Sequence, residues 1–349
     1  MVVPDSALPD VGPVHCKEHA DFRRLSAFLR KEGSIMKHRL MVVSFVLLAA
    51  IMLFCFSSCK NSTKNPEEDG SKEAAQNKVT ITLNGDSATS SDPSSAKVEG
   101  SVITIEKTGE YTVSGSLQDG QIIVALSEKK NVYIILNGAE IHCSTSAPLY
   151  VKSCKNLILT LADGTVNTLV DAESYVYANV LDTEPSAAVY SKQDLKINGN
   201  GELNVTGNFN NGIASKDSLV IESGKIHVIA ANNGLKGKDD VTIHGGEITV
   251  DSVKDAIKSD RDDDLSRGFV EITGGTLLLE AGDEGIQAQT NVKISGGTVT
   301  IKAEGNGIKA ETAIDLKDAA IVDISTPGDG LSAVSISGSA TVNGEKVTH

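Results

Sequence analysis

The C-terminal half of the chain repeats itself about every 22 residues, and a period of that length restricts it to a solenoid. Units begin at Asn211 (NGIASKDSLVIESGKIHVIAAN), Asn233 (NGLKGKDDVTIHGGEITVDSVK), Asp255 (DAIKSD, an acidic insertion, then FVEITGGTLLLEAGD), Glu284 (EGIQAQTNVKISGGTVTIKAEG) and Asn306 (NGIKAETAIDLKDAAIVDIS). The starts lie 22, 22, 29 and 22 residues apart, so one unit carries seven extra residues.

Three alternating pairs recur within each unit. The first includes Ile213/Ser215, Leu235/Gly237, Ile257/Ser259, Ile286/Ala288 and Ile308/Ala310. The second includes Leu219/Ile221, Val241/Ile243, Val270/Ile272, Val292/Ile294 and Ile314/Leu316; the third includes Ile226/Val228, Ile248/Val250, Leu277/Leu279 and Val299/Ile301. Alternation marks a strand with one buried face. Three short strands per period, separated by Asn-Gly and Gly-Gly turns, make one three-sided coil, with glycine expected to supply positive-φ bends. Stacked coils give an all-β, single-domain, right-handed parallel β-helix. A leucine-rich repeat would need Leu where this chain has Ile and Val, and a calcium β-roll would need GGxGxD every nine residues.

The ends read differently. Residues 36–59, MKHRLMVVSFVLLAAIMLFCFSSC, place Lys37 and Arg39 before an apolar run that ends in small residues and Cys59. This resembles a bacterial lipoprotein signal in which Cys59 is lipidated and becomes the mature N-terminus. The expected layout is therefore a start-site artefact over 1–35, a signal peptide over 36–58, a polar tether over 59–77 and the β-helix over 78–349. Such a protein is exported and held on the cell envelope. Cys143 and Cys154 remain in the repeat region, as small stacking residues or as one disulfide.

Charge narrows the partners. The chain carries 32 Lys and Arg against 46 Asp and Glu, a net charge of −14. Only Arg261 and Arg267 follow Cys59. No basic stripe is available for phosphates, which argues against nucleic acid. An acidic polymer would also be repelled unless a cation lay between the two.

Residues 77–118 are expected to cap the first coil, because a solenoid must hide its open edge. Degenerate coils follow from Asp119 and Ser146. Residues 163–186 break the period and are expected to leave the helix, and the regular register, which starts at Ala187, fades after Asp329.

Aligned units place acidic residues just after the first strand. Asp217 is expected over Asp239, and Asp240 over Asp262, with Asp260 alongside. Strands stack about 4.8 Å apart, so these carboxylates would crowd one edge and suit calcium. Lys236 and Lys258 are expected to be neighbours on the outward face of the first strand. They could meet sugar carboxylates or hydroxyls, or simply neutralise nearby Asp. The column Asn211, Asn233, Asp255, Glu284, Asn306, Asp329 reads as turn chemistry. His142, His227 and His244 lack zinc spacing, and no GxSxG, Walker or HExxH motif occurs.

The segments DGTVNTLVDAESYV, NGIASKDSLVIESG, NGLKGKDDVTIHGGEITV and DAIKSD resemble a family of bacterial carbohydrate-binding β-helix proteins, secreted or lipid-anchored and pectate-lyase-like in shape. The likeness covers roughly residues 78–330. It implies calcium-assisted binding of polygalacturonate and cellulose without catalysis, with Asp217, Asp239, Asp240, Asp260 and Asp262 as metal ligands and Lys236 and Lys258 facing the polymer. The absence of Trp weighs against flat cellulose binding and favours an acidic polymer. A calcium-dependent lyase with Lys258 or Arg261 as base, and a structural adhesin, are the competing expectations.

Overall fold

Alternating burial runs through the second and third sides of the coil, while the first-side strands Ala187–Ser191 and Asn211–Ser215 are buried throughout. The computed structural model describes residues 77–349 apart from 180 and 319. Among the described residues it is all strand and turn, and the strands stack as a parallel β-helix.

In the coil that starts at Asn211, the three sides are Asn211–Ser215, Ser218–Ile221 and Lys225–Ala230. The next coil repeats them as Leu235–Gly237, Asp240–Ile243 and Glu247–Ser252. The inward residues stack without slippage, as Ile226 on Ile248, Ile248 on Leu277 and Leu277 on Val299. Each fully buried Ile, Leu or Val contributes roughly 1.5–3 kcal/mol, and a one-residue slip would turn every one of them outward. The ladder is therefore what fixes the register of the side chains on the outside.

Glycine serves two purposes at the corners. Between the second and third sides, Gly224, Gly246, Gly275 and Gly297 have φ of 116°, 102°, 96° and 87°, the bends expected from the sequence. The Asn-Gly corner is different. Gly234 needs no positive φ; a Cβ there would lie 2.2 Å from Val250 Cγ1 and 2.8 Å from the Ala256 carbonyl. That glycine lets the backbone press against the third side.

The residues before these glycines form a buried polar ladder. Asn233 Nδ2 donates to Asn211 Oδ1 (2.8 Å), the Glu284 amide donates to Asp255 Oδ1 (3.2 Å), and Asn306 Nδ2 donates to Glu284 Oε1 (3.3 Å). Their bonds run from coil to coil, so the column is more than local turn chemistry.

Both ends close with antiparallel pairs. Ala96–Glu99 pairs with Val102–Ile105, and Ser339–Val342 pairs with Glu345–Thr348. The last coil is more complete than its faded pattern suggested, with strands at Leu331–Ser332 and Ser335–Ser337 before that hairpin. The excursion is shorter than expected. Val166–Val170 is a third-side strand paired with Glu202–Thr206, so the chain leaves the helix over 171–186 only. The sequence concealed this strand because Asn167 occupies an inward position. Its Oδ1 accepts the amides of Gly138 and Ala139, both at 2.9 Å, and its Nδ2 donates to the Glu202 carbonyl at 3.0 Å. Cys143 and Cys154 are buried free thiols, and burial pushes Cys154 up to about 12. Residues 1–76, with Cys59 and the signal, tether and start-site expectations, lie outside the described residues.

Candidate functional site

The outward row of the first side changes character along the axis. Tyr150 stacks on Tyr190, Tyr190 on Ala214, Ala214 on Lys236, Lys236 on Lys258, Lys258 on Gln287 and Gln287 on Lys309. Lys236 and Lys258 are therefore adjacent, as the alignment of units requires. Their partners differ. Lys236 Nζ lies 2.6 Å from Asp260, which is one-third exposed, whereas Lys258 Nζ lies 2.7 Å from Asp255, whose side chain is 3% exposed. Lys258 also donates to Gln287 Oε1.

The excursion covers the tyrosine end of this row. Tyr175 stacks on Phe209 with ring centroids 4.3 Å apart, and its hydroxyl donates to Asp171 Oδ2 at 2.7 Å. Burial raises the Asp171 carboxyl to about 6, against the pull of the Tyr175 hydrogen bond. Further along, Glu184 lies against Lys192 at 2.6 Å and Lys216 at 2.5 Å. Burial alone would raise Glu184, but the two ammonium groups outweigh it and hold the carboxyl down at about 2. Between excursion and sheet lies a cavity of about 330 Å³ lined by Glu184, Tyr190, Lys216, Lys236, Lys238 and Asp260.

The acidic corner lies between the first and second sides. Asp217 and Asp239 occupy successive coils, and the Asp239 amide donates to the Asp217 carbonyl at 3.2 Å. Among the described residues Asp217 has no ion-pair partner. Burial raises its carboxyl above the ordinary range, and the charges of Asp194 and Asp239 raise it further. Asp240 does not lie over Asp262. Its register partner is Phe269, because nine residues separate Ser259 from Phe269 where neighbouring corners use two. The seven-residue insertion bulges out and leaves Asp262 exposed. The same segment returns two cations to the corner: Arg261 Nη1 meets Asp239 Oδ1 and Arg267 Nη1 meets Asp240 Oδ2, both at 2.7 Å.

The five expected ligands are thus not one set. Asp217 and Asp239 carry the carboxylate oxygens that calcium takes, and Arg261 already holds one oxygen of Asp239. Asp240 is buried against Arg267 and Ser218, Asp260 is drawn to Lys236, and Asp262 stands apart. Among the described residues, the three carboxylates whose oxygens all lie within 4.8 Å of one another are Asp255, Asp283 and Glu284. Asp255 and Glu284 belong to the polar ladder; the sequence aligned them in one column, but reading that column as turn chemistry hid the grouping with Asp283.

A larger groove runs along the outer face of the second side. Its volume is about 810 Å³, and Tyr133, Ile158, Val220 and Phe269 line it together with Asp194 and Arg267. Tyr133, Ile158, Val220 and Phe269 are all half-buried. The amides of Asn131 and Asn156 approach to 3.1 Å nearby. Sequence reasoning missed this surface because Tyr133 lies in a degenerate coil, and only stacking puts it on the same outer face as Phe269, whose row starts two residues earlier.

Comparison with known proteins agrees with this architecture. A family model described as carbohydrate-binding domain-containing protein matches residues 99–348. A carbohydrate-binding domain-containing protein of Acetivibrio thermocellus is 34% identical over 190 residues, which is 54% of this chain and 66% of that relative, just under two-thirds of its length. A solved structure described as the polysaccharide lyase-like protein from C. thermocellum, gadolinium derivative, superposes with a TM-score of 0.68 at 36% identity, covering 72% of this chain and 99% of the other. With a parallel β-helix over the matched residues and the family model covering more than half of its length, the chain belongs to the carbohydrate-binding domain-containing protein family.

Proposed function

We propose that this protein binds an acidic polysaccharide such as polygalacturonate on the first side of the helix, with calcium assisting, and does not cut it. The observation that carries this reading is a cationic strip on an acidic molecule. Lys216, Lys236 and Lys238 line one cavity beside Tyr190, and Lys258 follows in register. Lysines presented along an axis at one coil spacing, about 4.8 Å, suit a polymer with a repeating carboxylate. Calcium, bound through Asp217 and Asp239, would supply positive charge between two acidic partners.

The lyase alternative draws on the description of the solved relative. It asks for a group able to take the proton beside a uronate carboxylate. Lys258 already donates to Asp255 and Gln287. Arg261 is held by Asp239 and Asp263, and those hydrogen bonds push its guanidinium still higher. Neither is placed as a base. A neutral, cellulosic polymer is the second reading, favoured by the second-side groove with Tyr133 and Phe269, since aromatic side chains offer apolar faces to sugar rings.

Titration with polygalacturonate, in calcium and again in chelator, tests the main reading. Binding is expected to need calcium, to weaken as salt rises, and to leave no unsaturated product after long incubation. Ultraviolet-absorbing oligosaccharides released by the wild type in calcium and not in chelator would establish the lyase instead. Binding of hydroxyethylcellulose alone would move the site to the second-side groove.

The reading also places the protein on the cell envelope through lipid on Cys59. In a host that processes lipoproteins, the full chain is expected to partition into detergent and Cys59→Ser to remain unprocessed. Unchanged processing together with unchanged partitioning in Cys59→Ser would remove the anchor.

A further inference from the structure

The repeat builds its first corner with a lysine in successive coils: Lys192, Lys216 and Lys238 occupy equivalent places, and the coil after them has Asp260. Lys192 and Lys216 follow strands that stack Ser191 on Ser215, so their stems leave neighbouring rungs side by side. Lys192 also meets the Tyr150 hydroxyl, but among the described residues neither lysine finds a carboxylate in the repeat. Both turn to Glu184, which belongs to the excursion, and its two oxygens divide between them, Oε2 to Lys192 and Oε1 to Lys216. The Glu184 side chain is 20% exposed and lies at the wall of the cavity that Lys236 and Lys238 also line. One carboxylate, delivered by a non-repeating segment, thus bridges two ammonium groups of the regular lattice at the edge of an open cleft.

We infer that Lys192 and Lys216 form a carboxylate-receiving site for the sugar acid of an anionic polysaccharide, and that Glu184 is its internal competitor. The inference rests on the binding reading above. A uronate carboxylate has the same two oxygens and charge as Glu184, so it can take both ammonium groups in the same way. A neutral sugar brings no charge to the two ammonium groups and gains nothing when Glu184 leaves, whereas a charged polymer competes with Glu184 for them. Glu184 also bonds to the Tyr190 hydroxyl, so its side chain must leave that group as well as the two lysines when it turns towards solvent. The cost to the ligand is set by how seldom the pair is open. A site open one-tenth of the time binds about tenfold more weakly than a permanently open one.

The test compares the full chain with Glu184→Gln, which keeps the side-chain shape and removes the charge. Polygalacturonate is expected to bind the variant about tenfold more tightly at low salt, while hydroxyethylcellulose binding stays unchanged. Adding Lys192→Met and Lys216→Met to Glu184→Gln is expected to cancel the gain. Equal or weaker polygalacturonate binding by Glu184→Gln, beside a wild type that binds, overturns the inference and leaves the proposed function standing; in that case Glu184 only pins the excursion. A gain that survives the lysine replacements also overturns it. Absence of binding by wild type and variant alike removes the proposed function, and this inference with it.

Discussion

Replacing Lys258 with alanine is expected to destabilise the protein by about 3–5 kcal/mol, the usual cost of stranding a buried charge. The charge stranded is Asp255, whose side chain is 3% exposed. Its Oδ1 accepts from the Glu284 amide at 3.2 Å, too little to replace an ammonium. Replacing Lys236 is expected to cost under about 1 kcal/mol, since its partner Asp260 is one-third exposed and returns to water. Two lysines that stack in register are thus expected to differ severalfold in structural weight. Urea unfolding of both variants checks this, with Lys258→Ala combined with Asp255→Asn as the rescue. Equal losses for the two lysines, or no rescue by Asp255→Asn, would contradict the assignment. The consequence for function is direct. Lys236 is the lysine whose loss reports on ligand binding, because its removal leaves the fold in place, whereas a binding defect in Lys258→Ala mixes both effects.

Calcium is expected to raise the melting temperature, and chelator to lower it. At a calcium concentration one hundred times the dissociation constant, linkage gives about 2.7 kcal/mol of added stability. The motive is the state of Asp217: partly buried, without an ion-pair partner among the described residues, and facing the charges of Asp194 and Asp239. Asp217→Asn with Asp239→Asn is expected to erase the calcium response. Identical melts with and without calcium would reject the metal. A response that survives those changes and disappears in Asp283→Asn would put the ion at Asp255, Asp283 and Glu284 instead. Arg261 makes the experiment informative, because its contact with Asp239 is the one an ion must displace.

The legible part of the site follows the repeat. Lys236 beside Lys258 and Asp217 beside Asp239 could be placed from spacing alone, because one period returns a side chain to the same place on the next rung. Asp240 could not. A register count carried through the insertion puts Asp262 on it, but the backbone resumes pairing only at Phe269. Arg267 was unremarkable in sequence and ends on Asp240, 27 residues away. Glu184 lay in a stretch that the period could not index at all, and Tyr133 in a coil too degenerate to align.

The sequence by itself determined the three-sided coil, its inward ladders and the sharp bends at Gly224 and Gly246. Those features depend on local alternation and on backbone angles that few residues other than glycine adopt. Only the tertiary structure decided which charges meet. Residues 171–186 and 260–268 leave the lattice, so their side chains are positioned by where the chain returns rather than by period. A carboxylate at the protein surface binds whichever ammonium lies within a few ångströms, and that distance is set by stacking between segments more than twenty residues apart.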